Sequence, residues 1–83
     1  MPAKLQIVRR QGQGKILRTL TFRNVFDASA WRNEFTSALD LWTLSQLGVF
    51  LVSSQEIPML EEAVPPVEMV AQEVKQALSR LPW

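Results

Sequence analysis

Residues 4–10 (KLQIVRR) alternate, which places Leu5 and Ile7 on one face of an extended chain and Gln6 and Val8 on the other. Residues 15–26 (KILRTLTFRNVF) are rich in β-branched and aromatic side chains, and Gln11-Gly12-Gln13-Gly14 separates the two runs. Two such runs around a short glycine-containing link predict a β-hairpin over residues 4–26. A two-residue turn at Gln13-Gly14 would set Ile7 opposite Leu20 and Leu5 opposite Phe22. Arg9 and Arg18 would then pair on the same face, nearer the turn. A longer loop shifts that register.

After Asp27 the period changes from two to about 3.6. Asp27 suits an N-cap, because its carboxylate accepts orphan helix N–H groups. Trp31, Phe35, Ala38 and Trp42 then share one stripe, widened by Leu39 and Leu41, with Arg32, Asn33, Thr36, Ser37, Asp40 and Thr43 opposite. The spacing predicts one helix over 28–46, with Gly48 as a left-handed C-cap. Residues 49–54 open with Val49-Phe50-Leu51-Val52, a short continuous apolar run that predicts a strand buried on both faces. Residues 55–65 form a proline-bearing connector. Pro66 suits the first position of a second helix over 66–81, where its missing N–H costs nothing. Val67, Val70, Ala71, Val74, Ala77, Leu78 and Leu81 line one arc of that helix, and Met69 falls outside it.

The order β-β-α-β-α predicts a single α+β domain. Its small three-stranded sheet, the N-terminal hairpin plus one central strand, packs on two amphipathic helices. The second strand, first helix and third strand would form a right-handed crossover with parallel strands. With helices on one face only, Val8, Leu17, Thr19, Thr21 and Val25 face solvent unless a partner covers them.

Composition narrows the chemistry. The 83 residues are 47% apolar, which suits one small core. There is no histidine, cysteine or tyrosine. The commonest general base and metal ligand are therefore missing, as are disulfides and thiolate metal sites. No serine has a candidate base beside it in sequence, and Glu56, Glu61, Glu62 and Glu68 around the connector read as a solvated acidic stretch. The expectation is a binding protein and not an enzyme, with no cofactor, metal or small-molecule substrate. The longest apolar run, residues 47–52, is far short of the roughly 20 needed to span a bilayer. Arg9 and Arg10 stand where the apolar core of a signal peptide would begin. A soluble, cytoplasmic protein without membrane contact is expected.

Charge changes the picture most. The first 33 residues hold seven of the nine basic side chains (Lys4, Arg9, Arg10, Lys15, Arg18, Arg23 and Arg32) and one acid, Asp27. The rest holds seven acids against Lys75 and Arg80. A one-signed surface selects partners. QGQGK (11–15) is not a phosphate loop, since a strand follows it where such loops need a helix N-terminus. Arg9, Arg10, Lys15 and Arg18 gather near the hairpin turn instead. Together with Arg23, Arg32 and a terminal Trp83, they form the candidate surface for another protein, including a second copy of this chain. Self-association would bring a basic front to an acidic back. Nucleic acid is the alternative, since arginines on a β-ribbon read phosphates and guanine edges. The hairpin-then-helix order and the run Phe26-Asp27-Ala28-Ser29-Ala30-Trp31 resemble the arm-type DNA-binding domains of phage-like integrases over residues 4–38. Those domains carry three strands before the helix where this chain has two, and no diagnostic motif is present. The resemblance implies DNA contact through the hairpin.

Overall fold

A computed structural model describes residues 1–12, 14–58 and 63–80. The chain runs β1 (Ala3–Arg9), β2 (Ile16–Phe22), α1 (Val25–Ala38), α2 (Leu41–Ser45), β3 (Leu47–Ser53) and α3 (Val67–Arg80). The three strands form one antiparallel sheet in the order β2-β1-β3. This is the expected α+β domain, with two differences in the sheet. β1 is the central strand and β3 lies at an edge, where the sequence pointed to β3 as central. β2 and β3 do run parallel, as the crossover requires, but β1 separates them.

The hairpin loop is longer than two residues. Arg9 N donates to Lys15 O at 2.8 Å, and Gly12 and Gly14 adopt φ of +75° and +66°, a region that disfavours side chains. The register therefore differs from a two-residue turn: Leu5 faces Leu20, Ile7 faces Arg18 and Ala3 faces Phe22. The shift is two positions, so the side chains of β1 and of residues 18–22 keep their faces and the apolar face survives. Arg9 and Arg18 do not pair. A bulge between Ile7 and Val8 leaves Leu17 unpaired, and it turns against the core.

Helix α1 starts a turn earlier than Asp27. The N-cap is Asn24, whose Oδ1 accepts from Asp27 N at 2.8 Å. The single helix over 28–46 is in fact two. Leu39 is extended, and Asp40 caps α2 by accepting from Thr43 N at 3.1 Å and from Thr43 Oγ1 at 2.6 Å. An aspartate inside a helix gains nothing from its carboxylate, whereas at a cap it satisfies two donors. The break lets Leu39 and Leu47 reach the core and buries Thr43, while turning Leu41 and Trp42 outward. Gly48 is not a helix cap; it is a buried residue of β3.

The core lies between one sheet face and the helices. Ala3, Leu5, Leu20, Phe22 and Ala28 form one cluster; Ile7, Phe35, Leu39, Leu47 and the α3 residues Val67, Val70, Ala71, Val74 and Leu78 form the other. Trp31 touches both. Pro66 O accepts from Val70 N at 3.3 Å, so Pro66 precedes α3 as its cap residue. Met69 is exposed, as its place outside the apolar arc predicts. β3 is not buried on both faces: Val49 and Leu51 point inward, but Phe50 and Val52 are exposed. Two-sided burial needs helices on both faces, and here the helices cover one.

The Thr43 side-chain and backbone hydrogen bonds hold the Asp40 carboxyl below the usual carboxylate range. A lowered folded pKa stabilises the native state above the unfolded value near 3.8, and that contribution fades as pH falls through the lower folded value. Asp40→Asn is therefore expected to lower thermal stability at pH 7 and to flatten its decline between pH 4 and pH 2. Melting curves across that range check it; an unchanged acid limb would refute the stabilisation by the ionised Asp40 carboxylate.

Candidate protein-binding surface

Of the seven residues singled out by charge and position, the fold gathers three. Arg9, Arg10 and Lys15 stand together at the hairpin end. Arg10 also has a structural task. Its N donates to Gln46 O at 2.9 Å and its Nε to Leu47 O at 2.6 Å, which ties the end of α2 to the hairpin. Arg18 lies on the helix side of the sheet and pairs with Glu73 of α3 at 2.8 Å, both side chains being partly exposed. That pair is a modest surface contact. Its geometry turns Arg18 away from the cluster. Arg23 is exposed just past the opposite end of β2, and Arg32 is exposed on α1. Trp83 lies outside the described residues, as do Gln13, Glu61, Glu62 and Leu81.

The tie through Arg10 places α2 beside these cations. Two large apolar side chains stand on that single helical turn in water: Leu41 is 85% exposed and Trp42 53%. Sequence periodicity put both in the core stripe. The missed signal was Asp40, three residues before a threonine, repeating the spacing of Asn24 and Asp27 at the α1 cap. An exposed tryptophan and leucine on one turn, with arginines at the far end of the same short helix, have the composition of a binding hot spot.

The sheet face away from the helices is also open. It carries Lys4, Gln6 and Val8 from β1, Thr19 and Thr21 from β2, and Phe50 and Val52 from β3. Ile16, turned by the bulge to pair with Val8, extends it. Four of its positions are apolar, and Phe50 is 55% and Val52 48% exposed. Of the hairpin residues expected on this face, Val8, Thr19 and Thr21 are there. Leu17 is not, because of the bulge, and Val25 is not, because it opens α1 and packs against the core.

A cleft of about 160 Å³ separates β2 from the segment 63–65, lined by Arg18, Thr21, Val64 and Pro65 among others. Drug-sized ligands occupy roughly 300–1,000 Å³, so this cleft is small for one. Among the described residues no three acidic side chains converge to hold a metal. No described helix is long and apolar enough to cross a membrane.

The fold and its surface define a small α+β domain with an open-faced three-stranded sheet. Comparison with family models, curated proteins and solved structures finds no match to this chain. The likeness to integrase arm domains thus rests on residues 4–38 alone, and the third strand here follows the helix instead of preceding it.

Proposed function

We propose that this chain is a non-catalytic protein-binding module, an accessory subunit, adaptor or inhibitor, that docks through the end of its hairpin. Leu41 and Trp42 are the anchors. Arg9, Arg10 and Lys15 form the rim that selects an acidic partner and speeds its approach. The observation that carries this reading is the exposed Leu41-Trp42 pair on α2, the helix whose C-terminal end the Arg10 bonds to Gln46 and Leu47 tie to the cationic turn. Leaving both side chains in water is unfavourable for the free chain, and a partner that buries them relieves it.

Nucleic acid is the second reading, since Arg9, Arg10 and Lys15 are clustered, Arg10 and Lys15 exposed and Arg9 half-buried. It is weakened because Arg18 is turned to Glu73 and Arg23 and Arg32 stand elsewhere, which leaves three cations where a groove-binding ribbon uses more.

The test compares affinity capture from host extract by the parent, by Trp42→Ala and by Lys75→Ala as a surface control. A protein retained by the parent and the control is expected to bind Trp42→Ala at least about 30-fold more weakly, the effect of losing a hot-spot side chain. No retained protein, or equal retention by Trp42→Ala, would remove the reading. A mobility shift of duplex or single-stranded probes that vanishes between about 50 and 200 mM salt would replace it with the nucleic-acid reading.

A further inference from the structure

The two edges of the sheet are treated differently. β2 is interrupted by the bulge at Leu17, carries Arg18 and is flanked by the segment 63–65. These features blunt an edge against pairing. β3 has none of them. It is seven residues long (LGVFLVS), unbulged, uncharged and free of proline. Among the described residues no strand pairs with its outer side; the Arg10 side chain touches it at one end, where Nε donates to Leu47 O.

The ladder shows which backbone groups that edge offers. Arg10 N donates to Gln46 O and Ser54 N to Pro2 O, at the two ends of the β1–β3 pairing. Hydrogen-bonded pairs in an antiparallel ladder alternate, so Gly48, Phe50 and Val52 bond inward to β1. Leu47, Val49, Leu51 and Ser53 therefore direct their N–H and C=O groups outward. The centre of this outward set is Phe50.

We propose that β3 is a homodimerisation edge, at which two copies pair antiparallel about a two-fold axis at Phe50 to make one six-stranded sheet. This register matches Leu47 with Ser53 of the partner subunit and Val49 with Leu51 of the partner subunit, all outward-bonding positions. It pairs all four outward-bonding positions of the strand, Leu47 O being shared with Arg10 Nε; a two-fold axis one residue away at Val49 or Leu51 pairs only three. Side-chain sizes agree with it. Phe50 meets its own copy across a non-hydrogen-bonded pair, and Gly48 meets Val52 of the partner subunit. The Phe50 ring already leans over Gly48 in its own strand: a Cβ on Gly48 would lie 2.9 Å from the ring.

Charge selects the orientation. The turn end holds Arg9, Arg10 and Lys15, while the other end mixes Lys4 and Arg23 with Asp27 and Glu56. Parallel pairing would bring the two cationic ends together. Antiparallel pairing separates them by about 23 Å along the strand, well beyond the screening length of roughly 8 Å at physiological salt. One strand edge buries less than the roughly 800 Å² per partner of a standard interface, so the dimer forms only at high concentration, with a dissociation constant above about 1 μM.

This inference rests on the reading of the chain as a protein-binding module, and it uses a different surface. Light scattering at rising concentration is expected to move from the 9.5 kDa monomer toward twice that mass. Over the same range, amide exchange at Leu47, Val49, Leu51 and Ser53 is expected to slow, while Gly48, Phe50 and Val52 are slow throughout. Val52→Lys, whose side chain is already half in solvent, is expected to keep the circular dichroism of the parent and remain monomeric. Phe50→Cys gives the protein its one thiol, at a pair about 4.5 Å apart between Cα atoms, and is expected to oxidise to a linked dimer. Met69→Cys, on the exposed face of α3, is expected not to. A mass of 9.5 kDa at all concentrations, with no linked Phe50→Cys dimer, would overturn the proposal while leaving capture through Trp42 intact. A doubled mass with the four amides still fast would also overturn it, in favour of contact through the open face. Slowing of those amides only on addition of another protein would overturn it in favour of a foreign strand.

Discussion

Phe35→Ala is expected to cost about half of the stability of the fold. Phe35 is fully buried and stacks on Trp31 at 5.1 Å between ring centroids, among Ile7, Leu39, Leu47 and the apolar arc of α3. Truncating such a ring removes its burial and leaves a cavity that neighbours fill only partly, a loss of about 3–5 kcal/mol. An 83-residue domain without disulfides has about 5–10 kcal/mol in total. Urea denaturation followed by circular dichroism reads the change directly. A loss below about 1 kcal/mol would mean that α1 does not pack on the sheet through this ring.

Trp31→Ala is the second large expected loss, for a different reason. Trp31 touches both core clusters, stacks on Phe35, and lies at 6.0 Å from Phe22 between ring centroids. Its Nε1 donates to Pro65 O at 3.0 Å, which fixes the approach of the connector to α3. Alanine removes both the packing and the tie, and about 3 kcal/mol or more is expected. Trp31→Phe keeps most of the packing and loses the hydrogen bond, for about 1 kcal/mol. Trp42→Ala is expected to change stability by less than about 0.5 kcal/mol, because its ring is largely in solvent. The order Trp31→Ala, Trp31→Phe, Trp42→Ala in denaturation midpoint checks the assignment of one tryptophan to the core and the other to the surface. Equal losses for Trp31→Ala and Trp42→Ala would contradict it.

Those two tryptophans mark how far the sequence reads. Both fall on the same stripe at helical spacing, and a continuous helix would bury both. The helix stops because Asp40 gains two hydrogen bonds from Thr43 as a cap. Periodicity is a sum over many residues, whereas a cap is decided by one, so a single carboxylate overrides the pattern. The same competition moved the start of α1 to Asn24, since an asparagine there reaches the Asp27 N–H as well as an aspartate would reach its own turn. The cationic cluster was legible only in part. Arg9, Arg10 and Lys15 meet because the loop joins them in sequence. Arg18 depended on its partner 55 residues away in α3.

The open face follows the same division. Alternation along β1 and over residues 18–22 of β2 assigns the inward positions correctly, even with the hairpin register displaced by two, because the strand period is two; it fails at Leu17, where the bulge interrupts the period. In β3 the run Val49-Phe50-Leu51-Val52 has no alternation to read, and only the count of layers tells that Phe50 and Val52 lack a cover.

Local pattern is enough to read the order of the three strands and the two long helices, the buried face of α3, the inward face of most of the hairpin and the sorting of charge toward the N-terminal half. Each of these is a local property, set by side-chain period, turn residues or composition within a few neighbours. The tertiary structure alone decided that β1 is central and β3 an edge, that Arg10 ties α2 to the hairpin, and that Leu41, Trp42 and Phe50 face outward. These depend on pairings between residues far apart in the chain, where the free energy of one strand position or one cap hydrogen bond is gained only after the layers have met.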